Sequence, residues 1–435
     1  MRIRPILHVF ALIALLSSAR GAADAYAQSG SCSVIAQNQF VRDVLFEYYY
    51  WNKELPRVSP VFFPTPEAYL EAVRYRPLDV TYSYIANRAE QEAFFSDSQF
   101  IGLGISTQFN GTDMRLAQVF PDSPASEVGL LRGQRILRIN GRTIADLSAS
   151  NLLGTAFGAN TEGVSVALTW QTQTGEEKSA TLVKRAVTIP TVSALRLYDL
   201  EGRKVAYLNF RNFVQPSFAA LDTAFAQLHD AGATELVLDL RYNGGGLVAV
   251  AQRLASLIGG TRTQDQLFAE FFHNDRHTDL NRQLRFESQP NGLNLSRLIV
   301  ITTRASASAS ELVINALRPF IPVVIVGDTT YGKSVGQYSF TFCDKVLNPV
   351  SFILRNANGE SDFFTGFPPT CTAADDLDHQ FGDPSESSLA ESFVYLKTGA
   401  CTPPSTTTAS ARAAAAARAK PILPTDGWQQ LLGAH

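Results

Sequence analysis

The second half of the chain alternates short apolar runs with stretches of helical periodicity, and this alternation restricts the fold more than any other feature. The runs are KVAYLNF, ELVLDLR, RLIVITT and PVVIVGD, at residues 204–210, 235–241, 297–303 and 322–328. Apolar runs without a polar face are typical of strands that are buried on both sides of a parallel sheet. The sequence therefore predicts an α/β domain beyond residue 188.

The last run leads into GDTTYGKSVGQ, residues 327–337, which fits the G-x-x-x-x-G-K-[ST] pattern of phosphate-binding loops. In such loops the lysine and the next hydroxyl residue open a helix whose amides bind the phosphates. Here Lys333 and Ser334 are followed by VGQYSFTF, whose alternation predicts a strand. The residues before Lys333 are also bulkier than a phosphate loop usually tolerates. The sequence thus argues against nucleotide binding and leaves Lys333 open to another role.

A second loop can meet the loop of Lys333. Residues 297–328 are typical of a strand, a loop, a helix and a second strand, and the loop reads ASASAS. A right-handed crossover would bring both loops to one sheet edge, where sites form in α/β proteins. A serine becomes a nucleophile when a base removes its proton, and a desolvated lysine can be that base. The candidate serines are Ser306, Ser308 and Ser310.

The competing interpretation of this loop is structural. Ser308 and Glu311 form the S-x-x-E pattern of a helix capping box before an apolar run. The local sequence favours the cap, and it does not separate three serines that alternate with alanines.

Two further regions precede the α/β domain. Residues 28–98 form a predicted helical region, because NQFVRDVLFEYYYWN has apolar residues at helical spacing and TPEAYLEAVRY begins with a threonine cap and a proline. Residues 99–187 consist of short alternating runs with turn signals, among them the Asn140-Gly141 pair in RILRINGRTI. They predict a small β-rich domain.

The two ends of the chain differ from the rest. Residues 1–27 are predicted to be a signal peptide, because two arginines precede the run ILHVFALIALL and the segment ends in AYA. That run is too short to span a membrane, which takes roughly 20 residues, so we expect an exported periplasmic or secreted protein without stable membrane insertion. A lipoprotein anchored at Cys32 is disfavoured, because no leucine-like residue precedes it. Residues 401–435 are of low complexity and predict a flexible tail.

Net charge and cysteine spacing argue against nucleic-acid and zinc binding, and the cysteines are candidates for disulfides. The formal net charge is −3, which gives no reason to expect nucleic acid. The four cysteines match no zinc pattern, and no metal or cofactor is expected. An exported chain can form disulfides. We prefer the pairs Cys343–Cys371 and Cys32–Cys401 among the three connectivities that four cysteines allow.

Three motifs together carry a family resemblance. ASASASELVINAL, VVIVGDTTYGKSVGQ and VLDLRYNGGGL resemble the C-terminal processing, or tail-specific, serine proteases, which have a crotonase-like (ClpP/crotonase-type) α/β fold and a Ser/Lys dyad. The resemblance implies that Ser308 is the nucleophile, that Lys333 is the base and that Gln337 helps to hold the lysine amine. It implies oxyanion donors at the amides of Ala309 and of Gly245 and Gly246. It assigns residues 188–400 to the protease domain and needs no cofactor.

The β-rich region carries a second resemblance. FIGLGI and SPASEVGLLRGQRILRING are similar to PDZ domains, although Gln134 stands where those domains usually have aspartate. By that resemblance, Gly102, Leu103, Gly104 and Ile105 would bind the C-terminus of a protein or peptide substrate. The implied function is an exported serine endopeptidase. The alternative is a non-catalytic peptide- or lipid-binding protein on the same fold, and the oligomeric state is not predicted.

Overall fold

The computed structural model describes residues 31–110 and 112–403. The predicted signal peptide and the predicted tail from residue 404 onward lie outside this part of the chain. Within it, no helix has both the length and the apolar character that a membrane span requires.

The N-terminal part of the described chain consists mainly of helices. Helix α1 (Val34–Tyr48) begins where the Ser33 side chain accepts a hydrogen bond from the Ala36 amide. Helix α2 (Pro66–Val73) begins after Thr65, whose hydroxyl accepts from the Ala68 amide at 3.1 Å. Such caps satisfy amides that have no partner inside the helix. Strand β1 (Tyr84–Asn87) and helix α3 (Arg88–Asp97) complete the region.

The next region, residues 99–188, consists mainly of strands and is called the β-rich domain below. Its main sheet has the strand order β3-β4-β5-β7-β8, so β3 is an edge strand of that sheet. Its Asn140-Gly141 turn has positive φ at both residues, +50° and +79°, as a tight hairpin turn requires. The elements are β2 (Gln99–Gly102), β3 (Ile105–Asn110), β4 (Asp113–Val119), α4 (Pro124–Glu127), β5 (Arg135–Ile139), β6 (Arg142–Thr143), α5 (Ile144–Ala149), β7 (Ser165–Gln171), β8 (Glu177–Val183) and β9 (Arg185–Thr188).

The α/β domain contains the four predicted strands in one sheet of order β10-β11-β12-β15-β16-β21, in which β11 to β21 run parallel. Their side chains are almost entirely buried, which explains the apolar runs. The elements are β10 (Val192–Leu200), β11 (Arg203–Phe210), α6 (Ser217–Asp230), β12 (Glu235–Asp239), α7 (Val248–Gly259), β13 (Leu267–His273), β14 (Arg282–Arg285), β15 (Leu298–Thr302), α8 (Ala309–Leu317), β16 (Val323–Gly327), β17 (Val335–Gln337), β18 (Phe340–Phe342), β19 (Lys345–Asn348), β20 (Val350–Arg355), β21 (Cys371–Thr372) and α9 (Ser387–Thr398).

The N-terminal region and the α/β domain share a sheet. Strand β1 pairs with β19 in the order β1-β19-β18, and a further sheet has the order β14-β13-β20-β17. Phe40 of α1 stacks on Phe342 of β18 with ring centroids 4.8 Å apart. The N-terminal region is therefore built onto the hairpin that follows the loop of Lys333.

The preferred disulfide pairing is wrong. The bonds are Cys32–Cys343 and Cys371–Cys401. Cys343 lies in the turn between β18 and β19, against the start of α1, because the N-terminal region packs on this hairpin. Helix α9 packs in the same apolar cluster as Cys371 and returns the chain to that cysteine, so residue 401 is joined to the α/β domain.

A buried ionic cluster joins the β-rich domain to the α/β domain. Arg241, which is 1% exposed, contacts Asp239, Glu386 and Asp375. Arg132 of the β-rich domain lies 3.2 Å from Asp375 and packs on the Phe381 ring at 4.2 Å. The cluster fixes the start of the loop that follows β12.

Candidate active site

The three candidate serines, which lie between β15 and the first turn of α8, have different surroundings. Ser306 is fully buried, and its hydroxyl donates to the carbonyl of Leu240 at 2.7 Å. Ser310 is also buried, and its hydroxyl donates to the carbonyl of Asn243 at 2.9 Å. Both therefore hold the loop after β12 in place. Ser308 instead lines the large cleft at this sheet edge.

The backbone at Ser308 is strained. Its φ and ψ are +58° and −112°, although an N-cap residue ordinarily lies in the β region. Positive φ is costly for a residue with a side chain, and such strain is frequent at functional sites. The Glu311 half of the predicted capping box is present, because its carboxylate accepts from the Ser308 amide at 2.9 Å.

Glu311 does more than cap the helix. Its carboxylate also accepts from the Lys333 amide at 2.8 Å, the Gly332 amide at 2.6 Å and the Thr330 hydroxyl. Burial raises the pKa of Glu311, while these four donors favour its ionised form. One carboxylate therefore joins the loop of Ser308 to the loop of Lys333. The sequence pattern indicated only the cap. The available signal was the single charged residue in a helix whose other residues are apolar or uncharged.

Lys333 lies in the cleft with 7% of its surface exposed. Burial lowers its pKa from 10.5 to about 8, and the carboxylates of Asp79 and Glu311 oppose that shift. At pH 7 roughly a tenth of the amine is then neutral, compared with less than about a thousandth for an unperturbed lysine. The β17 strand after Lys333 replaces the helix of a phosphate loop, which agrees with the interpretation of the sequence.

The cleft has a volume of about 400 Å³. Ser308, Lys333 and Gln337 line it together. One part of its wall is apolar, and another part is polar. The apolar residues include Leu247, Val248, Leu312, Phe352, Leu354 and Phe363. The polar residues include Gln91, Glu92, Ser339 and Asn348.

Backbone amides approach the cleft from two elements. Ala309 is the first residue of α8, where amides lack helical partners and the helix dipole favours negative charge. Gly246 lines the cleft at φ +141°, and a Cβ there would lie 2.1 Å from the Phe213 carbonyl oxygen. A Cβ on Gly245 would lie 2.8 Å from the Ser308 Cβ. The Gly245 amide itself donates to the Asn243 side chain at 2.9 Å, so it is already engaged.

Comparison with known proteins relates two segments of the chain to one peptidase family. Residues 204–371 match the model of peptidase family S41, and residues 36–84 match the model of the peptidase S41 N-terminal domain. Residues 204–371 therefore form a peptidase S41 domain. This confirms the resemblance to C-terminal processing proteases.

Individual S41 relatives are distant. The carboxy-terminal processing protease CtpB of Bacillus subtilis is 26% identical over 257 residues, which are 59% of this chain and 51% of that protein. A carboxyl-terminal-processing protease of Picosynechococcus is 29% identical over 253 residues, 56% of each. A Bacteroides fragilis protein described as an S41 protease gives a TM-score of 0.68 at 28% identity, covering 83% of this chain and 97% of that chain. The chain spans about half the length of the curated relatives it matches.

Gln337 lies at the end of β17 and contacts the N-terminal region. Its side chain lines the cleft, and its amide nitrogen donates to the carbonyl of Tyr82 in the N-terminal region at 2.7 Å. Gln337 thus joins strand β17 to the segment before β1. Its predicted contact with the lysine amine stays a prediction.

The predicted tail-binding segment lies in the β-rich domain, before and at the start of edge strand β3. Gly102, Leu103, Gly104 and Ile105 are all buried. Gly104 has φ +85°, and a Cβ there would lie 2.1 Å from the Cβ of Ser123, so the close approach requires glycine. The carbonyls of Leu103 and Gly104 accept hydrogen bonds from within the domain.

Proposed function

We propose that this S41 chain is an exported serine endopeptidase with a Ser308/Lys333 dyad. The observation that carries the proposal is that a serine on a strained turn and a buried lysine of lowered pKa line one cleft. The common carboxylate of Glu311 supports it, because it fixes both loops relative to each other.

In the proposed mechanism, the Ser308 hydroxyl attacks the scissile carbonyl carbon while the Lys333 amine takes its proton. The amides of Ala309 and Gly246 donate to the oxygen that becomes negative. Lys333 then gives its proton to the leaving amine, and the bond between that nitrogen and the carbonyl carbon breaks. A water molecule, deprotonated by Lys333, hydrolyses the acyl-enzyme and regenerates Ser308. The reaction needs no metal or nucleotide.

We assign the protease domain to the crotonase-like class and the β-rich domain to the PDZ-like class on sequence resemblance. Export to the periplasm or outside the cell is supported by the predicted signal peptide and by two disulfides, which persist in oxidising compartments. The apolar wall of the cleft favours an apolar substrate side chain beside the scissile bond.

Labelling with a fluorophosphonate tests the proposed function directly. Such probes react with an activated serine and not with an ordinary hydroxyl. We expect the wild-type protein to be labelled at Ser308, located by peptide mapping, and the Ser308→Ala variant to remain unlabelled. A folded wild-type protein without label would support the non-catalytic alternative.

The reaction should favour alkaline conditions. Lys333 acts as a base only when neutral, so kcat/KM should rise about tenfold per pH unit below its pKa of about 8 and level off above it. The measurement is the initial rate of peptide hydrolysis from pH 5.5 to 10. A rate that is constant down to pH 6 would show that another group is the base. Added ATP and magnesium should not change the rate.

The β-rich domain should select substrates by their C-terminus. A free carboxylate can bind backbone amides near Gly102–Ile105 while the peptide adds to edge strand β3. We expect kcat/KM for a peptide with a free apolar C-terminus to exceed that of its amidated form about tenfold, as a charge-assisted hydrogen bond allows. A peptide that ends in Asp-Asp should also be cleaved slowly.

The control is the same peptide acetylated at its N-terminus. Acetylation changes the end that the β-rich domain is not expected to bind, so kcat/KM should stay the same. Intact protein is preferable to deletion of residues 99–187, because Arg132 contributes to the buried cluster. Equal rates for the free and amidated peptides would mean that the domain only covers or spaces the site.

A further inference from the structure

The loop of Lys333, residues 329–334, is held on its outer side by the N-terminal region. The Tyr82 hydroxyl donates to the Gly332 carbonyl at 2.5 Å. The Thr81 hydroxyl lies 3.0 Å from the Tyr331 hydroxyl, and the rings of Tyr82 and Tyr331 meet edge to face. These contacts join residues that are 250 positions apart in the chain. The N-terminal region is therefore part of the wall around the amine.

Asp79 fixes the segment that carries these side chains. It is fully buried, and its carboxylate accepts from the amides of Tyr82 and Ser83, both at 2.9 Å. It also accepts from the hydroxyls of Tyr49 and Ser83. Each hydroxyl accepts a backbone amide as well, from Tyr75 and Val350, so each directs its proton to Asp79. All four hydrogen bonds thus suit an ionised carboxylate.

The charge of Asp79 also acts on the amine. Burial lowers the pKa of Lys333, and Asp79 opposes this shift more strongly than Glu311 does. The other titratable groups around the amine and these two carboxylates include phenols, one cation and Glu92, which lines the same cleft as Lys333. The phenols are Tyr49, Tyr82 and Tyr331, whose pKa values are raised by burial, and the cation is Arg74, which donates to the Ser83 carbonyl.

We propose that Asp79 and Tyr82 are positioning residues for the general base: Tyr82 holds the lysine loop through the Gly332 carbonyl, and Asp79 fixes the Tyr82 segment and supplies a negative charge that acts on the amine. The inference rests on the proposed Ser308/Lys333 reaction. The proposal makes the N-terminal region a component of the catalytic site. Without that region the Lys333 amine would lose part of its enclosure and also Asp79, the carboxylate that acts more strongly on its pKa.

The first test is the pH profile of Asp79→Asn. Loss of a negative charge disfavours the ammonium form, so the acidic limb of kcat/KM should move to lower pH by about half a unit or more. The matched control is Glu67→Gln, which removes a carboxylate of the same region that pairs with Lys345. The limb of that variant should stay at the wild-type position. If Asp79→Asn folds and the acidic limb of its kcat/KM profile stays at the wild-type pH, the electrostatic part of the proposal is overturned.

The second test uses Tyr82→Phe, which removes a single hydroxyl and keeps the ring. We expect kcat to fall about tenfold with KM and the pH limb unchanged, the size of one lost hydrogen bond at a positioned loop. The control is Tyr69→Phe, another buried tyrosine of the N-terminal region, whose hydroxyl contacts the Val58 carbonyl. Equal kcat values for the two variants would overturn the positioning role. If Asp79→Asn does not fold, the comparison of Tyr82→Phe with Tyr69→Phe decides the proposal.

Failure of this inference can be distinguished from failure of the proposed function. If the wild type is labelled by fluorophosphonate and Ser308→Ala is not, a negative result concerns Asp79 and Tyr82 alone. If the folded wild type neither takes the label nor cleaves any peptide, the proposed function fails and the inference fails with it.

Discussion

Ser308→Ala and Lys333→Ala should each lower peptide hydrolysis by about 10⁴-fold or more, because residues that act as one catalytic unit lose nearly all activity when either is removed. Lys333→Arg should be equally inactive, since a guanidinium stays protonated at every accessible pH. The measurement is kcat/KM on a fluorogenic peptide at pH 9, where the wild-type base is neutral.

Thermal unfolding of each variant shows whether it lost hydrolysis while still folded or because it misfolded. Lys333→Met should be inactive and more stable than the wild type at pH 7. The folded pKa of Lys333 lies below its unfolded value, so below about pH 8 the buried charge costs up to about 3 kcal/mol, and that cost disappears as pH rises toward 10.5. Full activity in Ser308→Ala, with loss in Ser306→Ala or Ser310→Ala, would identify a different nucleophile.

Arg241→Met should cause the largest loss of stability among single substitutions near the site. Asp239 and Glu386 would remain buried without the guanidinium that contacts both, and breaking such a cluster typically costs about 3–5 kcal/mol. We expect the melting temperature to fall by about 5–10 °C. Activity should fall as well, because Arg241 begins the loop that carries Gly246.

Arg135→Met is the control for Arg241→Met. Arg135 pairs with Asp113 at 2.6 Å, but both side chains are exposed, at 50% and 38%. Exposed ion pairs contribute little, so the melting temperature should barely change. Arg241→Lys should recover part of the stability at most, because an ammonium cannot match the planar contacts of the guanidinium. A melting temperature unchanged in Arg241→Met would show that the buried cluster has no structural role.

Local sequence patterns predicted the framework of the site. Apolar runs identified the four central strands, and the pattern after Lys333 predicted a strand in place of a phosphate-loop helix. The family motifs, not the local chemistry, selected Ser308 from three equivalent serines. Strand periodicity and helix caps depend on residues close together in sequence, so they can be recognised without the fold.

Tertiary packing decided the rest. The hydroxyls of Ser306 and Ser310 bond to the carbonyls of Leu240 and Asn243, which lie 66 and 67 positions away, and this supports Ser308 as the proposed nucleophile. The disulfide pairing depends on where α1 and α9 pack, and spacing in the sequence does not encode that. The same holds for Asp79, whose segment is joined to the α/β domain by the pairing of β1 with β19 and by the contacts of Thr81 and Tyr82 with the loop of Lys333. The strands, the turns and the kinds of chemical group can thus be recognised from local sequence. Which of those groups share one buried environment depends on the fold, because burial and charge depend on neighbours that are distant in the chain.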